Sequence, residues 1–315
     1  MENHQEHQTP MDEAGEVHAE LRPLLFSIAY RMLGSIAEAE DVVQEAFLRW
    51  HRAVTGGAEV ESPKAYLATV TTRLAIDHLR ASRARRESYV GPWLPEPLVA
   101  DQEADVAQHA EMADSLSMAF LVLLESLSPV ERAVFLLREV FEYGYDEIAQ
   151  IVGKSEANCR QIFARARRRI GTGTPRFEAS RRERDELAQR FFAACERGDM
   201  DGLLDLLAAD AVFVGDGGGK AQGLSEPLYG RERVGRLMIG LFARAAHLGA
   251  RVRLVEVNGQ PGAIGLDAEG RVINVLVLDI GDGRVHGVRS VVNPDKLGHL
   301  GPVSDVARLP RGPRT

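Results

Sequence analysis

A short segment near the middle of the chain concentrates the side chains that bind nucleic acids. From Ser155 to Ile170 it has five arginines and one acid, Glu156, which gives a net charge of +4. Guanidinium groups bind phosphates and make paired hydrogen bonds to guanine edges in the major groove. The other face of the predicted helix is apolar. The segment is therefore a candidate for reading DNA, with a solvated basic helix as the alternative.

Two short helical patterns position these arginines. Ile148 and Ile151 are apolar at helical spacing. Gly153 permits a tight turn, and the hydroxyl of Ser155 can cap the next helix. This order predicts a helix-turn-helix over residues 145–170 whose second helix enters the major groove. The segment by itself leaves a plain helical hairpin open.

Composition predicts more than one domain and a localised charge pattern. The chain has 315 residues, of which 45% are apolar, so two or three domains with real cores are expected. The net charge of -8 argues against a basic coat for bulk nucleic-acid binding. From Glu87 to Glu131 there are nine acids and no Lys or Arg. This pattern indicates local basic faces joined by an acidic connector.

The cysteines and histidines predict neither a disulfide framework nor a zinc site. The two cysteines, Cys159 and Cys195, have no ligand spacing, and the nine histidines show no His-x3-His pattern. No cofactor is predicted. No apolar run approaches the ~20 residues that a membrane helix requires. We therefore expect a protein of the cytoplasm.

Breaks in the apolar periodicity divide the chain into three predicted domains. Three prolines in the six residues 92–97 prevent a regular helix there, and GTGTPR ends a later helical stretch. The predicted boundaries are a disordered tail at 1–17, a helical domain at 18–90, an acidic linker containing WLPEP at 91–114, a second helical domain at 115–171, a short connector at 172–181, a third domain at 182–298 and a flexible tail at 299–315.

The third predicted domain mixes helices and strands. Helical patterns at 182–196, 200–207 and 231–246 precede the apolar or alternating segments RVRLVEV, GAIGL, VINVLVLDI and VHGVRSVV. Turn pairs such as Asn258-Gly259 join these segments and predict antiparallel hairpins. The predicted fold class is multidomain, with two all-α domains followed by an α+β domain.

Two motifs and the helix-turn-helix resemble those of bacterial sigma factors of the extracytoplasmic-function group. The motifs are AEDVVQEAFLRW at 39–50 and AIDHLRASRARR at 75–86. The resemblance implies that residues 18–90 are sigma region 2 and residues 115–171 are sigma region 4. It also implies two partners, core RNA polymerase and promoter DNA.

The third domain resembles a SnoaL-like domain of the NTF2-like superfamily, a cone of curved sheet and helices around a pocket. Three short motifs, WLPEP, DGGGK and NPDKL, match the subgroup that fuses this domain to a sigma factor. The resemblance implies control in cis, without a separate anti-sigma protein. The residues expected to make regulatory contacts between domains are Trp93, Leu94, Pro95, Glu96, Pro97, Asp216, Gly217, Gly218, Gly219, Lys220, Asn293, Pro294, Asp295, Lys296 and Leu297.

The resemblance also implies roles for residues of the two sigma regions. Asp41, Gln44 and Glu45 are expected to bind polymerase, since exposed carboxylates suit a basic partner. The candidate DNA-binding residues of region 2 are Tyr66, Arg73, Arg80, Arg83, Arg85 and Arg86. In region 4 the base-edge candidates are Arg160, Gln161 and Arg165, the phosphate candidates are Lys154, Arg167 and Arg168, and Ser155 completes the set.

Two other functions are compatible with the sequence. SnoaL-like relatives include cyclases and isomerases with an acid or base in the cone, and the available groups here are Asp216, Asp279 and His286. The helix-turn-helix is also compatible with a regulator that binds DNA without polymerase. A small ligand in the cone would regulate the chain only if its affinities for two states differ.

Overall fold

The computed structural model describes residues 10–100, 116–171, 180–221 and 224–305, without the side chains of residues 10–14 and 83–87. The chain forms two compact units. The helical unit combines Met1–Ala84 with Leu127–Arg169, and the sheet unit combines Arg85–Ser126 with Ile170–Thr315. Residues 91–100 of the predicted acidic linker therefore belong to the sheet unit, together with the first described residues of the second predicted helical domain.

Six of the described helices build the helical unit. Its first helix begins at Pro10, so the predicted disordered tail is wrong from that residue onward. The segment contains Glu13, Ala14 and Glu16, which favour helix. The described helices are α1 (Pro10–Leu33), α2 (Ile36–Thr55), α3 (Pro63–Glu87), α4 (Met118–Leu124), α5 (Pro129–Glu139), α6 (Tyr145–Val152), α7 (Glu156–Ile170), α8 (Arg181–Arg197), α9 (Met200–Leu206) and α10 (Arg231–His247). Of these, α4, α8, α9 and α10 lie in the sheet unit.

The predicted helix-turn-helix is formed by α6 and α7. Gly153 ends α6 with a φ of 65°, a left-handed conformation that glycine adopts without strain. The Ser155 hydroxyl oxygen accepts a hydrogen bond from the Asn158 amide at 3.3 Å and so caps α7. The apolar faces of α6 and α7 pack against α5 through Val134, Leu137, Ile148, Ile151, Cys159 and Ile162.

Arginines join the two halves of the helical unit by binding backbone carbonyls. Arg132 of α5 is buried, and its guanidinium donates to the carbonyl of Met32 at 2.7 Å, near the end of α1. Arg73 of α3 donates to the carbonyls of Gln150 and Ile151, each at 2.8 Å, near the end of α6. The last carbonyls of a helix lack partners and lie at the negative end of its dipole. Each arginine therefore stabilises a helix end.

The sheet unit is built on one mixed sheet. Its strands run in the order β2-β1-β6-β5-β4-β3 among the described residues. The predicted α+β class is confirmed, and β3 to β6 form an antiparallel meander. β1 pairs with β6 in parallel, which the sequence pattern does not reveal. The bounds are β1 (Leu207–Asp216), β2 (Leu228–Tyr229), β3 (Arg251–Val257), β4 (Gln260–Leu266), β5 (Val272–Gly281) and β6 (Arg284–Val291).

The sheet is apolar on both faces. Its inner face packs with α8, α9 and α10 in a cluster that includes Phe191, Phe213 and Met238. Its outer face carries residues such as Val275 and Val291, and other parts of the chain cover it. The covering residues are Leu94, Met118 and Leu297, with Val99, Val122, Leu300 and Val303 at the margin. The linker and α4 are therefore part of the core of the sheet unit.

The segment after residue 298 is ordered as far as the structure describes it. The amide of Val272 donates to the carbonyl of Pro302, and the amide of Ser304 donates to the carbonyl of Val272, both at 2.8 Å. Val303 packs on the outer face. The predicted flexible tail is therefore wrong for 299–305, because this short segment adds hydrogen bonds at the start of β5.

We expect Phe191→Ala to destabilise the sheet unit by about 3–5 kcal/mol, because it removes a buried aromatic ring and leaves a cavity. Native-state hydrogen exchange of the β5 and β6 amides measures the loss, and exchange should accelerate. Arg190→Ala, at an exposed position of the same helix, should change stability by ~0.5 kcal/mol or less. Equal effects of the two substitutions would contradict this core assignment.

Candidate functional site: a clamp on the linker

The three motifs expected to be regulatory meet at one edge of the sheet. Asp216 is the last residue of β1, and its register partner on the parallel strand β6 is Val291. Parallel strands end at the same edge, so the residues that follow β6 lie beside Asp216. Lys296 follows in a short 3-10 turn, Pro294–Lys296. Both charged side chains are buried, with Asp216 at 0% and Lys296 at 8% exposure.

The carboxylate of Asp216 is satisfied by groups from the linker and from the turn. Its Oδ2 accepts hydrogen bonds from the Leu94 amide at 2.8 Å and from Lys296 Nζ at 2.7 Å. Its Oδ1 accepts a hydrogen bond from the Tyr89 hydroxyl at 2.5 Å. A buried charge is costly unless it is paired and hydrogen-bonded. Docking of Tyr89, just before the linker, and of Leu94 within it supplies two of these three bonds.

Lys296 binds a backbone carbonyl and two aromatic rings in the segment from Tyr89 to Leu94. Its Nζ donates to the carbonyl of Leu94 at 2.5 Å. The same nitrogen lies 4.4 Å from the centroid of the Trp93 ring and 4.8 Å from that of Tyr89, within cation–π range. Leu94 thus donates its amide to Asp216, gives its carbonyl to Lys296 and buries its side chain in the outer face. We call Tyr89, Leu94, Asp216 and Lys296 the clamp.

Tyr89 is a clamp residue that the sequence analysis did not select. Burial raises the pKa of its hydroxyl, and the hydrogen bond to Asp216 raises it further, so Tyr89 remains a donor. Asn293 of NPDKL donates to the same hydroxyl at 2.9 Å and accepts from the Asp295 amide at 3.1 Å. In the sequence, the available indication of its role was that an aromatic residue stands four positions before Trp93.

The glycines of DGGGK allow the linker to approach closely. Gly218 has a φ of 57°, and a side chain there would collide with Asn293 and crowd the Tyr89 hydroxyl. Gly219 has a φ of 72° and leaves room for Val90. Beside them, exposed Lys220 pairs with exposed Asp295 at 2.5 Å. DGGGK and NPDKL are therefore joined by two ion pairs, the exposed pair of Lys220 with Asp295 and the buried pair of Asp216 with Lys296.

Asn258 holds the chain on both sides of the undescribed residues 101–115. The side-chain oxygen of Asn258 accepts a hydrogen bond from the Leu98 backbone amide at 3.0 Å. The backbone amide of Asn258 donates a hydrogen bond to the Leu98 carbonyl at 2.8 Å. Its side-chain nitrogen donates to the carbonyl of Leu116 at 3.1 Å. Asn258 has a φ of 52°, within the turn that follows β3. In the sequence, Asn258 is recognisable only as part of a predicted hairpin turn.

The remaining motif residues also lie against the sheet unit. Pro95 and Pro97 are buried, and Glu96 is half-buried. The ring of His299 lies 2.9 Å from the carbonyl of Pro97. Leu297 is buried in the outer face, and Pro294 begins the 3-10 turn. All three motifs therefore contribute to one site.

The expected DNA-reading residues of α7 are on the surface of the helical unit. Arg160 donates to Glu156 at 2.8 Å and lies 5.0 Å from the centroid of the Tyr145 ring. The Arg168 side chain donates to the carbonyl of Ala164 at 3.2 Å. The exposed candidates are Lys154, Ser155, Arg160, Gln161, Arg165, Arg167 and Arg168.

The candidates of α2 and α3 have different surroundings. Asp41 and Gln44 are exposed, and Glu45 forms an ion pair with Arg49 at 2.8 Å. Arg80 forms an exposed pair with Asp77 at 3.2 Å, and Tyr66 is half-buried. The guanidinium of Arg73 donates hydrogen bonds to carbonyls of α6, a structural role that was not predicted from the sequence. The side chains of Arg83, Arg85 and Arg86 lie outside the described residues.

The acid and base candidates for catalysis do not line the cavity of the sheet unit. A cavity of about 360 Å³ lies between α10 and the inner face of the sheet. Asp216 is in the clamp, Asp279 pairs with Arg289 at 2.8 Å, and His286 is exposed with its ring 3.1 Å from the Gly281 carbonyl. Among the described residues that line the cavity, none is Asp, Glu, His, Cys or Tyr.

The described residues contain neither a metal-binding cluster nor a membrane-spanning helix. No group of three or more His, Cys, Asp or Glu side chains in them could hold a metal ion. None of the described helices has the length and apolar character to cross a membrane.

Three parts of the chain match known protein families. Residues 17–85 match the family model for sigma-70 region 2, and residues 117–170 match that for sigma-70, region 4. Residues 188–293 match the model for the SnoaL-like domain. The region 4 match includes α4, which the structure places in the sheet unit.

Two curated relatives and one solved structure are similar over most of the chain. The chain is 37% identical over 287 residues to the ECF RNA polymerase sigma factor SigJ of Mycobacterium tuberculosis, covering 88% of this chain and 91% of that protein. It is 31% identical over 298 residues to the probable ECF RNA polymerase sigma factor SigI of the same species, with 92% and 96% covered. The crystal structure of SigJ superposes with a TM-score of 0.72 at 34% identity, covering 90% of this chain and 98% of SigJ.

We expect Asp216→Asn to weaken linker docking by about 3–5 kcal/mol, because it leaves the buried Lys296 ammonium without its counter-charge. Hydrogen exchange of the Leu94 and Leu98 amides, which are both bonded in the docked linker, measures the effect. Asp295→Asn is the matched control, since it removes the exposed partner of Lys220 and should cost ~1 kcal/mol or less. Unchanged exchange in Asp216→Asn would contradict the clamp.

Proposed function

We propose that this chain, which belongs to the extracytoplasmic-function sigma factors with a fused SnoaL-like domain, directs core RNA polymerase to promoters under the control of its own linker clamp. The observation that carries this proposal is the clamp. The segment joining region 2 to region 4 is hydrogen-bonded to the SnoaL-like domain before and after residues 101–115. The sigma activity places the protein in the cytoplasm, with polymerase and chromosome.

Exposed charges of the helical unit support the two partners. The named relatives are RNA polymerase sigma factors. In this chain, α7 exposes arginines suited to phosphates and guanine edges. On α2, Asp41 and Gln44 are exposed, and the Asp41 carboxylate suits a basic face of polymerase, while Glu45 beside them is paired with Arg49.

The docked linker restricts the separation of the two sigma regions. α3 ends at Glu87 and α5 begins at Pro129. A fully extended free chain of that length could span at most roughly 150 Å, whereas a docked one has fixed anchor points. Regions 2 and 4 are expected to read different elements of one promoter, so the distance between them matters. The clamp therefore selects which separations are accessible.

Control in cis has two consequences for partners and chemistry. The regulator is part of the same chain, so a separate anti-sigma protein is not required. The SnoaL-like domain acts by binding the linker, through the hydrogen bonds that Asp216 and Lys296 make with Leu94. Asp216, the one candidate shared with the enzymatic alternative, is used to hold the linker.

We expect Asp216→Asn to change run-off transcription by this protein with core polymerase on the order of 5- to 150-fold, in either direction, because a regulatory coupling typically has that size. Full-length protein should be compared with Asp216→Asn and with Asp295→Asn at equal concentration. Asp295→Asn should transcribe like the unchanged chain. If Asp216→Asn frees the linker in hydrogen exchange but leaves transcription unchanged, control through the clamp is refuted.

Base reading by α7 is tested separately from the clamp. Arg160→Ala should cost ~1–3 kcal/mol of promoter binding and relax specificity at one promoter position, whereas Arg168→Ala should weaken binding to all sequences alike. Holoenzyme binding to promoter and scrambled DNA at fixed salt measures both effects. Arg182→Ala removes the same charge at an exposed position of α8 and serves as the control. An equal loss on both DNAs for Arg160→Ala would contradict its role at a base edge.

A further inference from the structure

Tyr145 lies where α5, α6 and α7 meet. It is the first residue of α6 and is half-buried. Its ring makes an edge-to-face contact with Phe163 of α7, with the ring centroids 6.2 Å apart. The guanidinium of Arg138, from α5, lies 5.0 Å from the centroid of the Tyr145 ring, within cation–π range. The ring therefore connects all three helices of the helix-turn-helix cluster.

The neighbours of the Tyr145 ring are themselves held in place. Arg138 donates a hydrogen bond to the carbonyl of Tyr143 at 2.9 Å. Phe163 stacks on buried Phe135 of α5, with the ring centroids 5.9 Å apart. A side chain between packed neighbours has few alternative rotamers. The Tyr145 ring is therefore a fixed surface at the start of α6.

Arg160, a base-edge candidate of α7, contacts this surface. Its guanidinium lies 5.0 Å from the centroid of the Tyr145 ring and donates to Glu156 at 2.8 Å. Contact with a ring uses no N–H donor, and one hydrogen bond leaves four of the five N–H groups of a guanidinium. Arg160 is the fifth residue of α7, and the N-terminal residues of a recognition helix contact base edges. Both contacts are therefore compatible with reading a guanine edge.

A guanidinium that is held in one direction reads a base more selectively than a free one. An arginine side chain loses conformational entropy when DNA immobilises it, and contacts made before binding reduce that loss. Paired hydrogen bonds to guanine require a defined direction, whereas phosphates are offered by every sequence. The contact with Tyr145 therefore favours base reading by Arg160 over general phosphate binding.

We propose that Tyr145 is a positioning residue, which directs the Arg160 guanidinium at a base edge and so contributes to the promoter specificity of region 4. This inference rests on the sigma function proposed above and on the role of Arg160 in it. Tyr145 acts through Arg160 and touches no base itself. Only its ring is needed for the contact, so phenylalanine should replace it.

Base preferences of the holoenzyme test the positioning role. The probe is the promoter that the unchanged holoenzyme selects from a randomised DNA library, together with its single-base variants. Tyr145→Leu should reduce the preference for the selected base at the position that Arg160 reads by about two- to fivefold, the size of a cation–π contact at an exposed site. Tyr145→Phe should keep the preference, because it keeps the ring. Equal losses in the two variants would overturn the proposal in favour of a contact made by the hydroxyl group.

A merely structural role of Tyr145 would give a different result. Partial unfolding of region 4 lowers the fraction of competent protein, which weakens binding to every sequence and leaves the base preference unchanged. Tyr229→Leu removes an exposed ring on β2 and is the matched control, which should alter neither quantity. Uniformly weaker binding by Tyr145→Leu with an unchanged base preference would overturn the positioning role.

A double substitution separates this inference from the proposed function. Arg160→Ala should abolish the preference at its position, and Tyr145→Leu should add no further loss of preference in that background, because the ring acts through Arg160. An additional loss in the double variant would overturn the inference. If Arg160→Ala keeps the preference at every position, base reading by Arg160 fails and the positioning role fails with it. If Arg160→Ala loses the preference while Tyr145→Leu keeps it, only the positioning role fails.

Discussion

The buried ion pair between Asp216 and Lys296 is the interaction on which the arrangement of the sheet unit depends. Removing two charges from water costs several kcal/mol each, and their mutual attraction offsets this only when the remaining hydrogen-bonding capacity is also satisfied. Here the missing partners are supplied by Tyr89 and by both backbone groups of Leu94. An undocked linker would leave the pair incompletely bonded. The pair therefore makes one position of the linker strongly preferred.

Apolar burial acts in the same direction as the ion pair. The outer face of the sheet would be exposed without Leu94, Met118 and Leu297, which are buried there. The linker is consequently part of a core rather than a free connection between two domains. This explains why α4, within the region 4 match, belongs to the sheet unit. A change in linker docking would then affect chain that belongs to region 4 itself.

The arginines of the helical unit show how contacts with other helices separate roles among residues of one type. Arg132 is buried and donates a hydrogen bond to a carbonyl of α1, and Arg73 donates to two of the last carbonyls of α6. Arg165, Arg167 and Arg168 are exposed on α7. All of these look alike in a charge pattern, since formal charge does not record which helix ends lie within reach. Arg132 and Arg73 bind carbonyls of another helix, whereas the Arg168 side chain donates to the Ala164 carbonyl within its own helix.

Local patterns in the sequence were sufficient for the order of domains, the helix-turn-helix, the α+β class and the meander, because apolar periodicity and turn residues act over neighbouring positions. The three motifs were also recognisable as a set. The site where they meet could not be recognised from the sequence, since it depends on the parallel pairing of β1 with β6. That pairing joins residues far apart in the chain. For the same reason Asn258 stood out only as part of a hairpin turn, and Tyr89 only as an aromatic residue four positions before Trp93. Their partners become neighbours only when the sheet has formed.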